Sequence, residues 1–257
     1  MRKQRYLTLE KRLSVPLWTK LAVPLASIVA GFLFSAIFLL ISGESSIEVY
    51  SVMFEGAFGS AYGLSETVVK MIPLMIISVG VAFAFKMQIW NAGGEGQLHI
   101  GAAAATYVVL HLNGCSRFVT VLLAFLAAFI CAGIYGLIPA ILKVKWKVNE
   151  LITCLMLNYV ATFFVSWLIQ GPWKDPTGFA FPRTRKIPSA GELTTFFGTR
   201  IHTGLIIGLV IALALWFVIY KTRWGFEIKL IGAKEKVARY AGMSVNRNIL
   251  LVMFLTH

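Results

Sequence analysis

Acidic side chains are scarce in this chain. Eleven Asp and Glu stand against 24 Lys and Arg in 257 residues, and charged residues together make up only 14%. Soluble domains carry about 25% charged residues, so a water-soluble globule is excluded. Metal and redox chemistry lack their side chains too. The three cysteines, Cys115, Cys131 and Cys154, form no CxxC pair, and the four histidines have no ligand spacing. Cys131 and Cys154 fall inside apolar runs, where cysteine behaves as a small hydrophobe, and no disulfide framework follows. Enzyme signatures are missing as well: there is no G-x-S-x-G, no H-E-x-x-H and no G-x-x-x-x-G-K-[ST]. No two carboxylates share an apolar segment. The sequence therefore offers no catalytic residue, no metal set and no cofactor motif, and nothing that binds ATP.

Apolar sequence is what the chain has in abundance. It is 58% hydrophobic with a mean hydropathy of +0.77, which places it among integral membrane proteins. A helix needs roughly 20 apolar residues to cross a hydrocarbon core of about 30 Å. Six runs meet or approach that length: 21–42, 68–89, 93–112, 118–142, 151–170 and 202–220. A seventh begins near 248 and stops at His257, too short to cross, so the chain reads as C-terminally truncated. The expected fold is all-α, a polytopic transmembrane bundle with about six complete spans and the start of a seventh. The first run follows a basic segment, residues 1–20, and exceeds the apolar core of a cleaved signal peptide, so it reads as a retained span.

The net charge of +13 does not point to nucleic acid, because the basic residues sit between apolar runs. With the N-terminus inside, 17 of the 24 Lys and Arg fall in inner segments, as the positive-inside rule expects. Two outer segments remain, 43–67 and 171–201. The first has the composition of an amphipathic surface helix. The second is rich in Pro, Gly and Thr and reads as an ordered loop. Either is a simple connection or a docking surface.

Polar residues at membrane depth are costly and point to function. The stretch "WNAGGEGQLHIGAAAATY", 90–107, holds the only acid between Glu66 and Glu150. Asn91 has the chemistry to cap a helix start, and Glu95 in a first turn is favoured by the macrodipole. Gly93, Gly94 and Gly96 allow a break or close packing. Glu95 and His99 stand at i, i+4 and can pair. Three readings stay open here: a satisfied helix start, a hinge or gate, and direct substrate contact. Asn158 lies roughly 13 Å into its run at 1.5 Å per residue, close to the midplane. It is either an interhelical hydrogen bond or part of a binding site. Pro73 is expected to kink the second span or delay its start, and Pro139 to act similarly in the fourth.

The inner loop 221–247 is too long and patterned for a turn. Val237, Tyr240 and Ala241 fall at i, i+3 and i+4, and Gly242 stands where a helix-ending left-handed residue belongs. A short amphipathic helix results, lying on lipid or fitting another protein.

Four stretches together resemble a known family. "FKMQIWNAGGEGQLHIGA" is similar to the "FNIGxEGQ" segment of bacterial ABC importer permeases of the branched-chain amino acid and simple sugar class. "VNELITCLMLNYVA", "GFEIKLIGAKEKVARYAGMSVNR" and "YSVMFEGAFGSAYGLSETVVKMIPLMI" resemble further segments of the same permeases, in the same order. The closest likeness is to nucleoside or simple-sugar permeases that work with basic-membrane-protein-type lipoproteins. Ala92 and His99 depart from the usual pattern, as do Lys234, Lys236 and Val237. The resemblance implies a permease domain over 21–257 in the bacterial cytoplasmic membrane, multi-pass with the N-terminus inside. Its partners would be two cytosolic ATPase subunits, a second similar permease, an extracytoplasmic binding lipoprotein and membrane lipid. It implies that Asn91, Gly93, Gly94, Glu95, Gln97 and Asn158 border the substrate path or its gate. It implies that Gly232, Val237, Ala238, Tyr240, Ala241 and Gly242 belong to a helix coupled to the ATPase. An ion-coupled secondary transporter or channel is the alternative, with Glu95 as its one candidate carboxylate.

Overall fold

A computed structural model describes residues 16–112, 114–176, 178, 182–196 and 198–256. Five basic residues of the 1–20 segment, Arg2, Lys3, Arg5, Lys11 and Arg12, and also His257, lie outside the described residues. The fold is all-helical, as expected. Its helices are α1 (Leu17–Ile41), α2 (Ser46–Phe58), α3 (Ala61–Lys86), α4 (Gly94–His111), α5 (Arg117–Trp146), α6 (Glu150–Gln170), α7 (Gly204–Lys221), α8 (Arg223–Ala233), α9 (Glu235–Tyr240) and α10 (Val245–Leu255).

Among the described residues five helices are long and apolar enough to cross a membrane: α1, α3, α5, α6 and α7. The 93–112 run does form a helix, but α4 falls outside that group because Glu95, Gln97 and His99 dilute its apolar character. α10, at 11 residues, is a shorter apolar helix. Proline does not delay or divide the spans: α3 runs unbroken through Pro73 and α5 through Pro139.

The chain divides into two units, Met1–Leu64 and Ser65–His257. In the first, α2 forms in the 43–67 segment, where the sequence pattern placed a helix. The Ser45 side chain accepts from the Glu48 amide at its start. Tyr50 donates to the Phe32 carbonyl at 2.6 Å and meets the Phe32 ring edge-on, tying α2 to α1.

In the second unit α4 packs most extensively on α5 and α6. Small residues make that possible. Gly101 lies against Ala128 and Ala132 of α5, the close backbone approach that drives helix association in lipid. Lys86, Lys143, Lys145, Lys147 and Lys221 stand at or next to helix ends. The α5–α6 connection turns through Lys147, in the left-handed region at φ 57°. Asn149 caps α6 by accepting from the Leu151 and Ile152 amides. Lys143 pairs with Glu150 across this turn.

The principal core gathers where these ends meet α8, α9 and α10. Phe83, Met87, Ile89, Ala140, Cys154, Ile228, Ile231, Ala238, Val252 and Met253 are all buried there. The burial pattern of α10 explains its placement. Val245, Asn248, Ile249, Val252 and Met253 are its buried residues, spaced i, i+3, i+4, i+7 and i+8 on one helical face. Asn248 is satisfied within this core: its Oδ1 accepts from the Trp224 indole at 2.6 Å, and its Nδ2 donates to Glu227 at 3.0 Å.

The described residues of the 171–201 segment are held by contacts rather than by extended regular structure. Lys174 bridges Thr184, Thr195 bridges His202, and residues Ser189–Gly191 form one 3-10 turn. Arg117 donates through Nε and Nη2 to the Glu192 carbonyl, and Arg200 pairs with Glu66 at 2.8 Å.

Candidate functional site: a helix that starts inside the bundle

The connection from α3 to α4 folds back into the protein instead of ending at its edge. Gln88 takes a left-handed conformation at φ 59°, which turns the chain. Met87 and Ile89 then insert into the core. The consequence is depth. Gly94 lies against Ile77, nine residues before the end of α3. Gly96 lies against Asn158, eight residues into α6. At 1.5 Å per residue these offsets are about 12–14 Å. α4 therefore begins well inside the ends of its neighbours, near the middle of a hydrocarbon core of about 30 Å. The Met87–Gly93 segment, inserted into the core at Met87 and Ile89, is the reason for this depth.

Irregular backbone at such depth must have its polar groups met by protein. Two asparagines do this. Asn158 Oδ1 accepts from the Gly96 amide at 2.9 Å, and its Nδ2 donates to the Ala92 carbonyl at 2.9 Å. One side chain of α6 thus holds both the connection and the first turn of α4. Asn91 is not the cap of α4; that position falls to Gly93. Asn91 is instead buried, and its Oδ1 accepts from the Gly93 amide at 3.0 Å. Its Nδ2 donates to the Thr256 hydroxyl at 2.9 Å and to the Thr256 carbonyl at 3.3 Å. A weaker contact from Nδ2 reaches Gln97 Oε1 at 3.4 Å. Gln97 is fully enclosed, pressed against Gly136 of α5.

Glycine is required where these elements touch. A Cβ on Gly96 would stand 2.8 Å from Asn158 Oδ1, and one on Gly94 would stand 2.8 Å from the Ile77 side chain. Tyr135 of α5 reinforces the same level by donating to the Leu157 carbonyl at 2.6 Å.

Glu95 differs from its neighbours. Asn91, Gly93, Gly94, Gly96 and Gln97 are buried, whereas Glu95 is exposed. Among the described residues it has neither an ion pair nor a hydrogen-bond partner, and the expected pairing with His99 does not form. It borders a cleft of about 270 Å³ whose other walls include Ile77, Val81, Phe85, Trp90 and Leu151. Phe85 and Trp90 meet there with ring centroids 5.3 Å apart. A carboxylate facing lipid at the centre of a span costs at least about 2.5–3.5 kcal/mol.

The second predicted group lies in α8, α9 and the turn after them. Gly242 has φ +78° and ends α9 as its position suggested. Gly232 packs on the backbone of Lys86 and Met87. The apolar face of α9 points away from the core, open to lipid or to another protein. Ala238 is the buried residue, while Val237 and Tyr240 are exposed, Tyr240 at 92%. Trp90, Tyr135 and Thr256 are members of these sites that sequence reasoning passed over. Trp90 adjoins the glycine-rich stretch and was within reach of it. Thr256 lies 165 positions from its partner Asn91 and carries no local signal. Among the described residues no three His, Cys, Asp or Glu gather to hold a metal.

Residues 63–256 match the family described as the permease component of the branched-chain amino acid transport system. Individual relatives share this likeness over most of the chain. A guanosine ABC transporter permease protein of Bacillus subtilis, NupP, is 34% identical over 92% of this chain and 68% of its own length. A glucose ABC transporter permease protein of Haloferax volcanii, TsgB13, is 33% identical over 97% of this chain and 68% of its own. A nucleoside ABC transporter permease protein of Lactococcus lactis, NupB, is 31% identical over 91% and 66% respectively. The chain thus spans about two thirds of the length of each. No solved structure matches it.

Proposed function

Since the chain belongs to the family of branched-chain amino acid transport system permease components, and is thus a transport subunit of an ABC importer and not its ATPase, we propose that its cargo is a nucleoside or a simple sugar. The observation that carries this is the sustained identity, over nine tenths or more of the chain, to permeases named for guanosine, nucleosides and glucose.

The multi-pass domain lies in the cytoplasmic membrane with its N-terminus inside, so the lysine-rich helix ends face the cytosol. There α9 is the coupling helix. Ala238 anchors it to the core while Val237 and Tyr240 project outward, available to a groove on a cytosolic ATPase. Gly232 and Gly242, with Ala241, set its approach and its end. Asn91, Gly93, Gly94, Gln97 and Asn158 hold the start of α4 as the inner gate, and Glu95 faces the path. A second, similar permease closes the path, and a binding lipoprotein delivers cargo to the 43–67 and 171–201 segments.

Purification of the full-length protein from native membranes tests the assembly. ATPase and second-permease subunits should co-purify, and labelled guanosine or glucose should accumulate in cells that express the set. A full-length protein isolated without any ATPase subunit would refute the assembly, and uptake of neither compound would refute the cargo assignment.

A further inference from the structure

The cleft beside the start of α4 has features that the permease reading does not use. It runs from Phe85 and Leu151, near the ends of α3 and α6, inward to Ile77 and Glu95. Its walls are largely apolar, and the polar side chains that line it are Asn91 and Glu95. The Glu95 carboxylate is exposed at mid-depth and has no ion-pair or hydrogen-bond partner among the described residues. An ionised carboxylate only accepts hydrogen bonds, so its partner must donate. Anionic groups are repelled. Trp90 and Phe85 keep about half of their surface exposed, at 57% and 43%, and both line the cleft. A volume of about 270 Å³ is just below the ~300–1,000 Å³ of pockets for drug-sized ligands, which suits a single sugar ring or a nucleoside.

We propose that this cleft is a substrate station on the permease, in which Glu95 accepts hydrogen bonds from two adjacent hydroxyls of a sugar ring while Trp90 lies against that ring or the base attached to it. The proposal rests on the cargo class argued above and adds the residues that read it. Two neighbouring hydroxyls suit a carboxylate because its two oxygens accept two donors at once. Nucleosides and free sugars share this diol. The indole supplies the apolar face that C–H groups of a sugar, or a flat base, would cover. The buried asparagines matter here indirectly: Asn158 and Asn91 fix the turn that carries Glu95, so the carboxylate stands on a braced backbone.

Ligand-observed saturation-transfer NMR on the full-length permease complex, purified without binding protein, reads this directly. Guanosine, 2′,3′-dideoxyguanosine and glucose are the probes. Guanosine or glucose should bind, and dideoxyguanosine should bind roughly tenfold more weakly than guanosine, as loss of a charge-assisted hydrogen bond requires. Glu95→Gln should erase most of that tenfold preference. Trp90→Leu should weaken every bound probe, and Trp90→Phe should restore much of the loss. A preference that survives Glu95→Gln, in a protein that still assembles with its ATPase, overturns the station and leaves the permease reading intact. Equal binding of guanosine and its dideoxy analogue to the unaltered complex does the same. A complex that imports neither guanosine nor glucose in cells overturns the cargo class itself, and the station with it.

Discussion

Asn158→Ala tests the bracing of α4. The substitution removes the acceptor of the Gly96 amide and the donor to the Ala92 carbonyl. Both backbone groups lie at a depth where water does not replace the lost partner. Interhelical hydrogen bonds in lipid average about 0.6 kcal/mol and reach about 1.7. Two such bonds give a loss of roughly 1–3 kcal/mol in the cost of opening the α4 start. Cys154 provides the readout. It is fully buried, with Sγ 3.8 Å from Asn91 Oδ1 and beside Gly93, so a thiol reagent reaches it only when this region opens. In a background where Cys115 and Cys131 are replaced, the maleimide labelling rate of Cys154 tracks the open population. A factor of ten accompanies each 1.4 kcal/mol. The expected acceleration is therefore at least about fivefold, and of order a hundredfold at the upper end. Asn158→Asp keeps the acceptor for Gly96 and should accelerate labelling less. Labelling within twofold of the unaltered protein, at equal folded content, would refute the idea that Asn158 holds this turn.

Other substitutions separate packing from function. Gly96→Ala places a Cβ 2.8 Å from Asn158 Oδ1 and 3.1 Å from its backbone, so thermal stability in detergent should fall by about 1–3 kcal/mol. Gly101→Ala meets Ala132 at 3.4 Å, and its melting temperature should stay close to that of the unaltered protein. Ile228→Ala empties a fully buried position in the core and should cost about 2–5 kcal/mol, measured by the same melts. Tyr240→Asp touches no core contact and should leave melting unchanged, while import no longer follows ATP hydrolysis; unchanged import would remove Tyr240 from the coupling surface.

Much of this architecture was legible in the sequence, because bilayer thickness sets the length of apolar runs and caps mark helix starts. Asn149 before α6 and Gly242 after α9 occupy the positions their chemistry suggested. The depth of α4 was not legible. Its glycines announced a break, but only the insertion of Met87 and Ile89 into a core built partly from α8 and α10 draws the break inward. Those contacts link residues more than a hundred positions apart, and no local pattern records them. Asn91 illustrates the same limit. Its type and place suggested a cap, yet Thr256 claims its amide. Asn158 stood out by its depth, and its two backbone partners lie in the stretch that the glycines marked. On α9 the apolar spacing marked a face, and Val237 and Tyr240 on it stay exposed; that Ala238 is the residue meeting the core was not legible, because the core it joins is built from other helices.

Gly232 makes the structure mechanically short. With only a hydrogen for a side chain, it lets α8 rest directly on the Lys86 backbone. Lys86 is the last residue of α3, and the chain from there reaches Gly94 in eight residues. On the coupling role proposed for α9, a push delivered there has little slack to take up before it moves the turn bearing Glu95. Any side chain at 232 would act as a spacer, lengthening the stroke needed at one end to shift the other.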